Sequence, residues 1–313
     1  MRLHEMLAFI LEKDAGLTKG RARSTASYFA DMESFLNSSR RELEEIRGIG
    51  RRRTIRLRDE EIDNIIEVKR LGYIDPQQSV SDNFLSAMGR EFSNRQLKMI
   101  NEINLDKLSV NPFLIKTLNL STPEELIRLN VYMLATRSIV TSMGFFVEKL
   151  LLSSSSLVEK APRGTGWDII KEDIDGETHW IQVKSGPSPM DKDQIVYWTQ
   201  KIQEKISEGD KAYIGITYGK RTNNTITFNL MKQLLPDWEI KTLIGKELWN
   251  FLGDDPEYLK SLFNTLRRSA QVILGEHSIF DEIESCIERV TIEFLDKYGE
   301  GEEGISKYID NIF

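Results

Sequence analysis

Between Gly164 and Tyr218 the helical periodicity of this 313-residue chain gives way to short strand-type runs, so any fold for it has to build a sheet there. Gly164-Thr165-Gly166-Trp167-Asp168-Ile169-Ile170 leads one strand. Asp173, Asp175 and Gly176 make a turn, Thr178 to Lys184 forms the next strand, and Ser185-Gly186-Pro187-Ser188-Pro189 ends it. That turn chemistry predicts a β-hairpin. Asp193 to Glu208 reads as a helix with Ile195, Val196, Trp198, Ile202 and Ile206 inward. Lys211 to Tyr218 reads as a strand buried on both sides, and Thr225-Ile226-Thr227-Phe228 is expected to pair after the turn 219–224. Gln182 and Lys184 fall on one face of their strand, two residues apart, and the hairpin is expected to bring Asp168 beside Lys184.

The rest of the chain is mainly helical. Ile62, Ile65, Ile66 and Val68 make one apolar face, and Leu97, Ile100, Ile103 and Leu108 recur at near-helical spacing. Ser121-Thr122-Pro123-Glu124-Glu125 is a helix start, with a break before it at Asn111-Pro112. Gly72 to Ser79 is expected to be a linker. Glu148 stands out on the apolar helix Thr141 to Leu150, with Lys149 and Lys160 as available charge partners. Helices are also expected over 245–252, 256–274 and about 279–295.

Composition excludes several classes. One Cys cannot form an intrachain disulfide or an all-Cys metal site, and the three His are far apart in sequence. No apolar run approaches the ~20 residues of a membrane helix. The start MRLHEMLAFILEKD does not read as a secretory signal, so the expectation is a cytoplasmic protein. The net charge of −7 at first argues against a nucleic-acid partner, but its distribution reverses that. Residues 276–313 carry −8, leaving +1 for the other 275, and the stretch 40–58 holds eight Arg against three Glu. A dense Arg cluster beside a separate acidic segment is the asymmetry of a nucleic-acid binder.

Within that cluster runs Leu43-Glu44-Glu45-Ile46-Arg47-Gly48-Ile49-Gly50-Arg51-Arg52-Arg53-Thr54-Ile55-Arg56-Leu57. Gly48 and Gly50 permit a tight turn between two helices. The second helix then opens with free backbone N–H groups, which hold a phosphate, and Arg51, Arg52 and Arg53 add charge there. Gly16-Leu17-Thr18-Lys19-Gly20-Arg21-Ala22 looks like an earlier, decayed copy, with Thr18 in place of the second Gly. The pair resembles the tandem helix–hairpin–helix module, which grips duplex backbone without reading sequence. The resemblance implies DNA contacts at Gly48, Ile49, Gly50, Arg51, Arg52, Arg53 and Thr54, and at Gly16, Lys19 and Gly20.

Asp168, Gln182 and Lys184, with Glu148 on the helix ahead of them, resemble the active-site pattern of the PD-(D/E)XK nuclease superfamily. The exit Val183-Lys184-Ser185-Gly186-Pro187 and the polar loop with Asp191, Asp193 and Gln194 are similar to type II restriction endonucleases. The run from Asn111-Pro112 to Glu148 resembles the lead-in helices of the group cutting interrupted palindromes with GG/CC ends. The resemblance implies an α/β (α+β) fold. Its nuclease core would be a mixed central β-sheet flanked by helices, in the order helix, three strands, helix, strand, preceded by an all-α helix–hairpin–helix domain. The expected divisions are 1–72 for the hairpins and 80–275 for the nuclease domain, with lead-in helices 80–152, catalytic core 140–235 and helices 245–275. An acidic helical extension, 276–313, follows.

The implied chemistry is Mg²⁺-dependent hydrolysis of double-stranded DNA at a palindromic or interrupted-palindromic site. Asp168, Glu148, Gln182 and the Val183 carbonyl would hold the metal, and Lys184 a water. Gln182 departs from the pattern, which has an acid there. Glu148 is the preferred second carboxylate; Asp173 or Asp175, or a weak or inactive enzyme, are the alternatives. Lys192, Gln194, Arg221 and Asn223 lie in loops beyond strand ends, where they would reach base edges. A homodimer would match a palindrome by symmetry, and a companion DNA methyltransferase would protect the host. The rival readings are a repair or junction-resolving nuclease and a non-catalytic DNA-binding protein.

Overall fold

Capping residues break the N-terminal part into short helices. In the computed structural model, which describes residues 3–46, 57–108, 110–173, 175–186, 190–253 and 257–312, these are α1 (Leu3–Lys13), α2 (Lys19–Tyr28), α3 (Met32–Asn37), α4 (Arg40–Glu45) and α5 (Asp59–Arg70). The long α6 (Val80–Asn101) follows. Past the end of α1, Gly16 has φ of 65°, and the Leu17 N–H returns to the Leu11 carbonyl at 3.1 Å. Asp31 and Ser39 cap α3 and α4 through reciprocal bonds with Ser34 and Glu42. Glu61 of α5 accepts from the Arg58 backbone N–H and from the Arg21 guanidinium of α2, tying two helices through one buried carboxylate. Leu7, Ile10, Leu11, Phe35, Leu43, Ile62 and Ile65 form a continuous core. Ile74 joins that core at 1 % exposure, so part of the expected linker is packed.

The chain forms two compact units, Met1–Met88 with Gly144–Arg267, and Gly89–Met143 with Arg268–Phe313. The first holds the N-terminal helices and a five-stranded sheet in the order β1 (Val158–Lys160), β2 (Ile169–Glu172), β3 (Thr178–Lys184), β4 (Lys211–Ile216) and β5 (Thr242–Ile244). β1, β2 and β3 run antiparallel; β3, β4 and β5 run parallel, so the sheet is mixed. α9 (Lys192–Ser207) crosses from β3 to β4 and buries Ile195, Trp198 and Ile202 on Ile214 and Ile216. Where α12 (Lys246–Leu252) covers the sheet, β4 carries Gly215; a Cβ there would lie 2.9 Å from Ile181 Cγ2 and 3.0 Å from Leu248 Cδ1.

The expected strand at Thr225–Phe228 is a helix. Thr225 is the N-cap of α10 (Ile226–Leu234), its hydroxyl accepting from the Phe228 N–H at 3.2 Å. Thr227, Phe228 and Met231 are buried at helical spacing, which outweighs the local β-branched preference. The short α11 (Trp238–Lys241) leads to β5, the strand that pairs with β4.

The second unit contains α7 (Pro112–Thr117) and most of α8 (Pro123–Leu152), with the end of α13 (Tyr258–Leu274), α14 (Ile279–Tyr298) and α15 (Gly301–Ile312). Ile283, Ile287, Val290 and Phe294 of α14 share a core with Leu126, Ile127 and Val131 of α8. The acidic tail is therefore amphipathic and integral to this unit. Its acids sit mainly outside; Glu284 takes the Arg128 guanidinium at 2.8 Å and the Tyr132 hydroxyl at 2.7 Å. No helix of the described residues is long and apolar enough to cross a membrane.

Candidate active site

Strand register sets the chemistry at one end of the sheet. Ile169 pairs with Ile181, and one residue further Asp168 lies across from Gln182. Gln182 Nε2 donates to Asp168 Oδ2 at 2.6 Å, and the Val183 backbone N–H donates to the same oxygen at 2.7 Å. The Asp168 backbone is held from both sides, donating to the Ile181 carbonyl and accepting from the Ala161 N–H. Its carboxylate is thus fixed in one orientation. Gln182 is 6 % exposed, and its Oε1 is buried with no hydrogen-bond partner among the described residues. With the amide nitrogen committed to a carboxylate, the carbonyl oxygen is an orphaned acceptor, the kind of group a missing ligand satisfies.

Three charged side chains surround Asp168. Glu148, near the end of α8, is bound by Lys160 Nζ from β1 at 2.6 Å. Lys184 closes β3, its carbonyl accepting from the Thr217 N–H at 2.9 Å. Burial pushes the Asp168 carboxyl above its usual range, and the Glu148 charge pushes it further; the Val183 N–H, Lys184 and Lys160 act against them. Two carboxylates and two ammonium groups therefore meet at the sheet end. The structure brings together Glu148, Asp168, Gln182, Val183 and Lys184. It adds Lys160, which sequence reasoning treated only as a charge partner for Glu148. The three residues of β1 are too few to show strand alternation.

Asp173 and Asp175, the alternative second carboxylates, lie at the hairpin turn, the opposite end of β2. Five residues of extended chain put Asp173 roughly 15 Å from Asp168, too far to share one cation with it. Asp173 instead accepts from the Asp175 and Glu177 backbone N–H groups and faces His179 Nε2 at 3.1 Å. His179, first among these partners, holds the Asp173 carboxyl below its usual range. Asp173, Glu177 and His179 place ligand atoms within 4.8 Å of one another, an arrangement that spacing alone did not reveal.

The candidate DNA-contact residues fall into four groups. Gly16, Lys19 and Gly20 are exposed at the α1–α2 turn and the start of α2. Gly48, Ile49, Gly50, Arg51, Arg52, Arg53 and Thr54 lie outside the described residues. Lys192 and Gln194 are exposed in the first turn of α9, and Asn223 is exposed, its Oδ1 accepting from the Lys220 N–H. Arg221 differs. Its guanidinium binds Glu247 at 2.9 Å and the Thr242 carbonyl at 2.5 Å, a clamp on β5. That is a structural use which its place in a polar turn did not signal.

The donor set of Asp168, Glu148 and an orphaned amide oxygen is all oxygen, which suits a hard divalent cation. Among the described residues the sheet end offers no Cys or His for a softer one. A sequence model of the family described as type II restriction endonuclease EcoO109I matches residues 78–272, more than half of the chain and every strand of the sheet. No curated protein matches the chain.

Proposed function

The chain belongs to the type II restriction endonuclease EcoO109I family and is a type II site-specific deoxyribonuclease; on that premise we propose that it works as a Mg²⁺-dependent PD-(D/E)XK enzyme centred on Asp168. The observation that carries the proposal is the Asp168 carboxylate pinned by Gln182 and Val183 beside Glu148, with the Gln182 carbonyl oxygen buried and without a partner among the described residues. Asp168, Glu148, Gln182 Oε1 and the Val183 carbonyl would hold the cation. When bound, the cation supplies positive charge at a phosphoryl oxygen and acidifies water. Lys184 holds the attacking water through its ammonium N–H groups and balances charge that builds on the phosphate. Gln182 positions Asp168 and supplies an oxygen, so a neutral amide is compatible with activity when Glu148 provides the second negative charge.

The remaining assignments rest on the sequence and on exposure. The N-terminal helices act as a helix–hairpin–helix grip on phosphates, through Gly16, Lys19, Gly20 and the Gly48–Thr54 segment. Lys192, Gln194 and Asn223 are exposed and would read base edges, whereas the clamp made by Arg221 gives it a structural role. A homodimer would cut both strands of a palindromic or interrupted-palindromic site, and a companion methyltransferase would protect the host. Incubation with mixed plasmid and phage DNA in Mg²⁺ tests the core of this reading. Discrete fragments, lost in Asp168→Ala, are expected. Fragments that persist in Asp168→Ala would remove the site assignment.

A further inference from the structure

Lys160 has no part in the chemistry above, yet it makes the closest ionic contact at the site. Its Nζ lies 2.6 Å from Glu148 Oε1, and its charge also acts on Asp168. Among the described residues, the four charged groups named at the sheet end, Glu148, Asp168, Lys160 and Lys184, sum to zero. A divalent cation added to that set would leave an excess of two positive charges, whereas two carboxylates without either lysine would repel each other. The two lysines are not equivalent. Lys184 ends the central strand β3 and is partly buried, whereas Lys160 ends an edge strand of three residues with its side chain 66 % exposed. Glu148 is the more buried partner, its side chain 25 % exposed on a long helix. Lys160 can therefore leave into water at little cost, while Glu148 stays in place.

We infer that Lys160 is a built-in counter-cation: it occupies Glu148 in the metal-free molecule and is displaced when a divalent cation binds. The inference rests on the metal-centre reading of Asp168 and Glu148. Its chemical content is competition. A cation that takes Glu148 Oε1 must break the Lys160–Glu148 contact, and one at Oε2 meets the repulsion of the ammonium, so the lysine weakens metal affinity in the absence of DNA. Once released, the ammonium is free to pair with a phosphate of bound DNA. Occupancy by metal and by DNA then favour each other through the same side chain. Lys160 acts through Glu148, which makes it a positioning residue.

Mn²⁺ binding to the full-length, DNA-free chain, read from the electron-spin signal of the free ion, tests this directly. Lys160→Met is expected to bind Mn²⁺ about fivefold more tightly than the wild type, and Lys160→Arg to restore the weaker value. The gain should persist at about 0.5 M salt, where the distant field of one exposed charge is screened. In a Glu148→Gln background, Lys160→Met should bring no further gain, because the contact it relieves is already gone. Lys160→Gln is a second variant, and thermal melting of each confirms that it folds. Equal or weaker binding by folded Lys160→Met, or a gain that vanishes in salt, overturns the inference. Failure of the underlying reading looks different: Mn²⁺ affinity would then be unchanged in both Asp168→Asn and Glu148→Gln.

Discussion

Asp168 meets two opposed demands. A cation site needs the carboxylate ionised, yet burial and Glu148 both disfavour its charge. The sign of the pH dependence follows. With the folded-state pKa raised above an unfolded value of about 3.9, the protonated form favours the fold; that contribution is complete below the unfolded value and is lost as pH rises through the raised one. Asp168→Asn removes the charge and keeps an acceptor for the Val183 N–H. It is expected to raise the Tm of the metal-free chain by about 2 °C near pH 8, with the gain shrinking towards pH 4, and to abolish cutting. A variant that melts at or below the wild type near pH 8 would show that this carboxylate costs the fold nothing. If Asp168 holds a cation as proposed, millimolar Ca²⁺ should raise the Tm of the wild type and leave Asp168→Asn unchanged, by simple linkage. Lys184→Ala should lower cleavage by about a hundredfold or more while gel-shift binding in Ca²⁺ is kept. Loss of binding to the same degree would make Lys184 a DNA contact rather than part of the hydrolytic centre.

At the scale of elements, the site depends on how closely α12 covers β3 and β4. Gly215 leaves no room for a side chain between Ile181 and Leu248, and Ile181 precedes Gln182. Gly215→Val is expected to cost about 1–3 kcal/mol in urea unfolding, and to slow cutting by moving β3. Unaltered stability would mean that α12 yields without strain. The same elements show what the sequence made legible. β3 and β4 were readable because seven and six residues are enough to display strand patterning and clear turn residues follow both. The helical lead-in to Glu148 was readable from its apolar spacing. The hairpin was readable too, but it was expected to bring Asp168 beside Lys184, whereas the register sets Gln182 across from Asp168. The four residues from Thr225 to Phe228 were not readable, since so short a run fits strand and helix alike. Only the Thr225 cap and the burial of Met231 one turn later decide for α10. β1 and β5 have three residues each and no pattern to read, and with β1 went the place of Lys160 beside Glu148.

Across the whole molecule, charge and core separate in a way that the net value of −7 conceals. The acidic C-terminal stretch is not an appendage: Phe294 and Val290 are fully buried in the core of their unit. Phe294→Ala is expected to cost about 3–5 kcal/mol, read from denaturant midpoints, and deletion of 276–313 to leave an insoluble chain. A soluble, active truncation would overturn the structural role of the tail. The Arg-rich stretch makes the opposite kind of claim, about binding rather than folding. If Arg51, Arg52 and Arg53 hold phosphates, each releases about one counterion when DNA binds, so the slope of log affinity against log salt contains a contribution from each. Replacing all three by Ala should weaken binding at low salt and flatten that slope by up to about 2.7, the loss being equal for cognate and unrelated duplexes. The cut site should stay where it was, because phosphate contacts carry no sequence information. A shifted or relaxed cut site with an unaltered slope would make these arginines readers of base edges, and the hairpin a specificity element rather than a grip.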